Sequence, residues 1–338
     1  MRTLSICIIL LLMWVIGLKA QPQKARIMFY NVENLFDPAN DSLTNDDDFT
    51  PEGNNRWTNS RMYAKLNNTA KVIIAVGEGN LPVLVGLCEI ENRNVLNKLV
   101  YNTPLKNSNY GVAHFESPDP RGIDVALLYR KDCFKVLTQK ALPIKFEDEK
   151  EARTRDILYV KGVLYKLDTL HVFVNHWPSK YGGVAATLTK RKAVGQFLRS
   201  FTDSIQQKTK SNIVIMGDLN DTPEDESVAT SLGACLTKNP CSTNLVNLMG
   251  PLLSDASIGT HKYSGHWSII DQFIVSTSFI YNTQGWHIQD AHVYNAAFLL
   301  RPDKNRSGNT PYRTFLGFKY EGGFSDHLPI YADLIREN

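Results

Sequence analysis

Six places in this chain set carboxylates, carboxamides or imidazoles directly against apolar, β-branched runs. They are Asn31 with Glu33 and Asn34; Glu89 with Glu91 and Asn92; Asn175-His176; Gly217-Asp218-Leu219-Asn220-Asp221; Asp271; and Ser325-Asp326-His327. Oxygen donors without cysteine suit a hard cation, magnesium or manganese, rather than zinc. Two histidines with spare Asp and Asn residues suit acid–base work and the orientation of a water molecule. Taken singly, an Asn or Asp after a strand is an ordinary turn residue, and a His beside a strand is more often a packing residue. Repetition across six strand ends, with few Lys or Arg among them, carries the chemical reading.

The elements that must position these groups follow from length and β-branched content. Strands are expected over Arg26–Asn31, Pro82–Glu89, Ile123–Arg130, Ile157–Leu167, Leu170–His176, Asn212–Asp218, Ile269–Ser276 and His327–Leu334. In an antiparallel sheet the start of one strand lies beside the end of its neighbour, so all six clusters can meet at one rim. Helices are expected over Asn59–Val76, Glu91–Val100 and Ala186–Gln207, the last with Leu188, Val194, Phe197, Leu198, Phe201 and Ile205 at three- and four-residue spacing. No internal repeat or low-complexity linker interrupts the pattern, which reads as one α/β domain with substantial sheet.

Composition agrees with an ordinary globular protein: 43% hydrophobic and 21% charged over 338 residues. A formal charge of +3 argues against a basic coat for nucleic acid over the whole surface. Residues 1–20 have the layout of a secretory signal peptide: Arg2, an apolar run from Leu4 to Leu18, and a small residue, Ala20, before Gln21-Pro22. The run is shorter than a bilayer-spanning helix requires, so no stable membrane anchor is expected. With Arg2 and Lys19 removed, basic and acidic residues nearly balance. Export to the periplasm or beyond makes a Cys235–Cys241 disulfide feasible, whereas Cys88, inside an apolar run, reads as a buried thiol. Two long polar loops, Asp37–Trp57 and Leu300–Phe324, are either functional or simply solvated.

The motifs Tyr30-Asn31-Val32-Glu33-Asn34, Leu87-Cys88-Glu89-Ile90-Glu91, Asn175-His176-Trp177, Gly217-Asp218-Leu219-Asn220 and Ser325-Asp326-His327 occur in this order from Arg26 to Leu334. Together they resemble the endonuclease/exonuclease/phosphatase superfamily, as a secreted, bacterial-type member. That superfamily includes deoxyribonuclease I, the abasic-site endonucleases, inositol-polyphosphate 5-phosphatases and neutral sphingomyelinases. The resemblance implies a two-sheet β-sandwich flanked by helices (four layers, α/β/β/α) over residues 21–338, with one metal-dependent phosphoesterase site at the rim.

By motif, the resemblance makes Asn31 and Glu89 metal ligands, with Asp326 contributing directly or through water. Asp218 and Asn220 would orient or deprotonate the attacking water. His327, paired with Asp271, would contact the scissile phosphate, and His176 would stabilise the phosphorane or assist the leaving oxygen. Magnesium or manganese is the implied cofactor, with a structural calcium ion as a further expectation. Cys88 stands where the family often has Gln, and cannot make that amide's hydrogen bonds. Asp124 is either the carboxylate partner of His176, another metal or substrate contact, or a turn residue after Gly122. Arg153 and Arg155 either reach a substrate phosphate or are surface charges.

These features favour a nuclease that cuts DNA or RNA, with Arg313 and the other basic residues of its loop (Arg301, Lys304, Arg306) on the backbone and Trp177 on a base. The second reading is the same site acting on a small or lipid phosphate ester. A non-catalytic module would be expected to break the acidic and histidine set, which is complete here. A monomer is the default expectation.

Overall fold

The computed structural model describes residues 23–146, 149, 151–209, 211–239 and 241–337; the proposed signal segment, 1–20, lies outside them. Two six-stranded mixed sheets stack face to face. The first runs β13 (His287–Val293), β18 (Ile330–Arg336), β1 (Gln23–Leu35), β2 (Leu84–Ile90), β4 (Asp124–Arg130), β3 (Tyr110–His114). The second runs β5 (Phe134–Leu142), β6 (Ile157–Leu164), β7 (Asp168–His176), β8 (Asn212–Asp218), β12 (Asp271–Ser276), β9 (Leu245–Asn247).

Between the sheets lies a core that includes Phe29, Leu127, Val160, Val172, Val214 and Phe273. Gly86 is required there, because a Cβ would collide with the Met216 side chain of the opposite sheet. The outer face of the first sheet is covered by α1 (Asn59–Gly77) and α2 (Arg93–Tyr101), which bury Met62, Leu66, Ile73, Leu96 and Leu99 against Met28, Val85 and Leu87. The outer face of the second is covered by α3 (Val184–Gln206) through Val194 and Leu198. The result is the expected four-layer sandwich. Thr58 and Asn92 cap α1 and α2 with their side-chain oxygens. No helix among the described residues is long and apolar enough to cross a membrane.

Two central pairs, β1 with β2 and β7 with β8, are parallel. Their carboxyl ends therefore emerge at one rim and deliver Asn31, Glu89, His176 and Asp218 together. The antiparallel β12 begins at Asp271, directly opposite Asp218. β18 follows the Ser325-Asp326-His327 segment alongside β1. Strand direction thus explains the convergence.

Several elements differ from the sequence reading. β3, β5 and β13 were not expected; β5 and β13 are edge strands with exposed positions among their buried ones. The expected strand Ile157–Leu167 ends at Leu164, because Tyr165 and Lys166 turn through positive φ. The Leu300–Phe324 loop contains two short hairpins, β14–β15 (Leu300–Pro302 with Asn309–Pro311) and β16–β17 (Phe315–Leu316 with Lys319–Tyr320). A further hairpin, β10–β11, joins His261–Tyr263 to His266–Ser268. The other loop, 37–57, is anchored by Trp57 and Phe49, which meet Phe315 edge-on or tilted. Cys235 and Cys241 are joined by a disulfide, and Cys88 is a buried thiol.

Candidate active site

Asn31, Glu89, His176, Asp218, Asp271 and His327 form one connected cluster at the shared rim. Backbone geometry aims two of them. Register shifts in β1 after Asn31 and in β2 after Cys88 put Glu33, Asn34 and Glu89 at φ of 54°, 56° and 61°. A left-handed glutamate is uncommon and costs about 1 kcal/mol or more. Here Glu89 Oε2 accepts the Asn34 N–H at 3.0 Å, and Asn31 Oδ1 accepts the Glu33 N–H at 2.9 Å.

Asp218 is the hub. Its Oδ2 accepts from Asn31 Nδ2 at 3.1 Å and lies 3.7 Å from His176 Nε2 and 3.8 Å from His327 Nε2. Its Oδ1 accepts the Asn220 N–H at 2.9 Å, while the Asn220 amide donates to the Trp177 carbonyl. Burial, opposed by His327 and reinforced by Asp271, raises the Asp218 carboxyl to about 7. That is a range suited to taking a proton from water near neutral pH.

The two histidines are set to opposite states. Burial disfavours the His327 cation, yet Asp271, by charge and by hydrogen bond, with Asp218 and Asp326, holds it well above the ordinary imidazole range. Burial and the charges of Arg155, Arg121 and His327 hold His176 well below that range. A charged and a neutral imidazole thus flank one carboxylate. His176 Nε2 also lies 3.9 Å from Glu89 Oε1.

Arg313 closes one side of the rim, donating to Glu33 Oε1 at 3.1 Å and to Asp326 Oδ2 at 3.0 Å. Behind it the buried Lys65 donates to Thr314 Oγ1 and the Phe324 carbonyl, with Glu33 at 4.0 Å. Burial lowers Lys65 to about 8 despite the attraction of Glu33. The ring of His261, on the β10–β11 hairpin, lies 4.8 Å from that of His327. Burial and the His327 charge lower His261 to about 4. Sequence alone names Glu33 beside Asn31 without giving it a role, and it does not select Lys65 or His261. Glu33 had a signal, its place two residues after Asn31; Lys65 and His261 are brought in by a helix and a hairpin and had none.

The donor set fits a divalent cation. Glu89, Asp218, Asp271 and Asp326 crowd the site, and Asp271 Oδ1 is buried without a hydrogen-bond partner. Asn31 Nδ2 now bridges Glu89 Oε1 (3.4 Å) and Asp218 Oδ2, doing with a dipole what a cation would do with charge. For Asn31 to offer oxygen instead, its amide must turn and release the Glu33 N–H. His261, Asp326 and His327 form a further triplet with ligand atoms within 4.8 Å.

Other expected site residues lie elsewhere. Asp124 does not pair with His176: its Oδ2 meets His114 Nε2 at 3.0 Å and its Oδ1 accepts the Ser117 N–H. Arg155 is buried, donating to Asp119 and to the carbonyls of His176 and Trp177, so its donors are spent inside. Trp177 is also buried, its indole N–H on Asn175 Oδ1, because the chain turns inward after β7. Arg153 is exposed, on a cleft wall with Asp119 and Glu91. In the Leu300–Phe324 segment Arg301 pairs with Glu321, so that loop is less positive than its composition implied.

Several solved structures share this fold. An endonuclease/exonuclease/phosphatase family protein from Bacteroides thetaiotaomicron is 13% identical, with a TM-score of 0.56 over 93% of this chain and 98% of that one. D. rerio TDP2 complexed with a single-strand DNA product is 14% identical, TM-score 0.55, over 92% and 99%. A Bacteroides thetaiotaomicron VPI-5482 mannosyl-6-phosphatase is 13% identical, TM-score 0.55, over 92% and 99%. No curated protein matches the sequence. The model of the Endonuclease/Exonuclease/phosphatase family matches residues 26–336, spanning every strand that contributes to the rim. The chain therefore belongs to the endonuclease/exonuclease/phosphatase family, whose members are metal-dependent phosphoesterases.

Proposed function

We propose that this rim hydrolyses phosphodiester bonds of nucleic acid with a bound magnesium or manganese ion. The observation that carries the reading is the placement of Asp218 Oδ2 between the Nε2 atoms of His176 and His327, at 3.7 and 3.8 Å. Asn31 and Glu89 would hold the metal, with Asp326 contributing from beside Arg313. The ion supplies charge stabilisation of the phosphoryl oxygens. Asp218, positioned by Asn220, accepts the proton of the attacking water. As the bond from phosphorus to the leaving oxygen breaks, the imidazolium of His327, fixed by Asp271, would give its Nε2 proton to that oxygen, and neutral His176 would donate an Nε2–H hydrogen bond to a phosphoryl oxygen where charge grows. Arg313, on one side of the cluster, and the exposed Arg121, whose charge is felt at His176, would contact neighbouring phosphates.

A TDP2 structure of similar fold carries a single-strand DNA product, which supports the nucleic-acid reading. Digestion of plasmid, single-stranded DNA and RNA with magnesium, with manganese and with chelator tests it; intact substrate in all metal-containing reactions would overturn it. One observation favours a second reading, a small phosphate ester. Arg301 and Lys319 are both tied to Glu321, and Lys262 to Asp303, which reduces the positive charge this region offers a long polyanion. A mannosyl-6-phosphatase shares the fold. Phosphate release from sugar phosphates with no cleavage of nucleic acid selects that reading.

We also propose export with cleavage after Ala20. The Cys235–Cys241 disulfide supports an oxidising compartment. Mass spectrometry of the protein recovered from culture tests this, since a chain retaining Met1–Ala20 contradicts it.

A further inference from the structure

Beside the catalytic cluster, a second set of ligands stands at the same rim, at the end of β3 and the start of β4. His114, Glu116 and Asp124 each offer an atom within 4.8 Å of the other two. His114 Nε2 and Asp124 Oδ2 are hydrogen-bonded at 3.0 Å, and Glu116 Oε1 lies 3.9 Å from His114 Nδ1. Both side chains are 2% exposed, whereas Glu116 is open to solvent. Glu116 therefore leaves a path by which an ion can enter.

Apart from His114, nothing basic pairs with the charge here: among the described residues no Lys or Arg forms an ion pair with Asp124, Glu116 or the neighbouring Asp156. Asp156 Oδ1 is buried with no hydrogen-bond partner, and burial together with Asp124 pushes that carboxyl up. Two carboxylates beside one imidazole, with the orphaned Asp156 oxygen close enough to feel the Asp124 charge, is a costly arrangement unless a cation joins it.

We propose that His114, Glu116 and Asp124 form a second metal site, selective for ions that accept imidazole, such as Zn²⁺ or Mn²⁺. The site is structural. Asp124 is in register with Ile90, the residue after Glu89, and its Oδ1 holds the Ser117 N–H. From Ser117 the chain runs to Asp119, which anchors Arg155 and through it the carbonyls of His176 and Trp177. An ion here fixes one wall of the cleft of about 450 Å³ that holds Glu116, Asp119 and Arg153 beside the catalytic rim. The proposal does not depend on the substrate.

The test is calorimetric titration of metal-stripped protein with Zn²⁺ and with Mn²⁺, paired with elemental analysis after desalting. Wild type is expected to retain a Zn²⁺ equivalent that Glu116→Gln and His114→Gln bind at least about tenfold more weakly, and that Glu89→Gln retains. Glu116 is exposed, so its substitution leaves the fold intact and keeps the test decisive if the His114 variant misfolds. Unchanged Zn²⁺ stoichiometry and affinity in Glu116→Gln would overturn the proposal, as would a wild type that retains no Zn²⁺.

Discussion

His327 Nδ1 and Asp271 Oδ2 lie 2.7 Å apart across the mouth of the sandwich, joining the segment before β18 of one sheet to the first residue of β12 in the other. Both groups are buried, so the carboxylate fixes the ring's orientation and its charge together. The remaining nitrogen, Nε2, is thereby left facing Asp218. Replacing Asp271 with Asn keeps the shape and removes the charge. The expected result is a fall in kcat of about 10²–10⁴-fold with an unchanged circular dichroism spectrum. Activity within threefold of wild type would sink the role given to this pair.

Glu89 should govern the catalytic metal. Glu89→Gln leaves an acceptor for the Asn34 N–H but removes the charge next to Asn31. Calorimetry with Mg²⁺ is expected to show affinity at least about tenfold weaker. An unaltered isotherm would place the ion elsewhere.

Arg155 and Arg153 are two residues apart and should behave oppositely. Arg155→Ala strips Asp119 of its buried partner and frees two carbonyls, which should cost about 3–5 kcal/mol in urea unfolding. Arg153→Ala, at an exposed position, should stay within about 0.5 kcal/mol. Equal losses would contradict the assignment of Arg155 to the interior.

His171 gives a pH signature remote from the metal. It is buried on β7, its Nδ1 2.9 Å from the Tyr159 hydroxyl, and burial lowers it to about 4. A lowered folded pKa means that the native state resists protonation. Stability is thus whole above the unfolded value near 6.5 and is lost as pH falls toward 4. His171→Gln removes this dependence. Between pH 7.5 and 4.5 the variant should lose about 1–3 kcal/mol less than wild type. Parallel stability curves for the two proteins would refute this.

What could be read from sequence was governed by local rules. Alternation and β-branching located the central strands, and the polar residues that end them were chosen by type. Asn31, Glu89, His176, Asp218, Asp271 and His327 were all named in this way, as was the four-layer architecture through the family's motifs. Edge strands β5 and β13 escaped because a half-exposed strand lacks a continuous apolar run.

Partnership was decided only in three dimensions. Nothing local distinguishes Arg155 from Arg153, yet one side chain enters the interior and satisfies its donors on backbone carbonyls and Asp119. Asp124 looked available to His176, but the antiparallel pairing of β3 with β4 brings His114 beside it. His261 meets His327 because a hairpin crosses the rim, a contact spanning more than sixty residues of sequence. The chain by itself determined which residue types stand at the strand ends. Strand direction and sheet stacking, which depend on contacts far apart in sequence, decided which of them face one another.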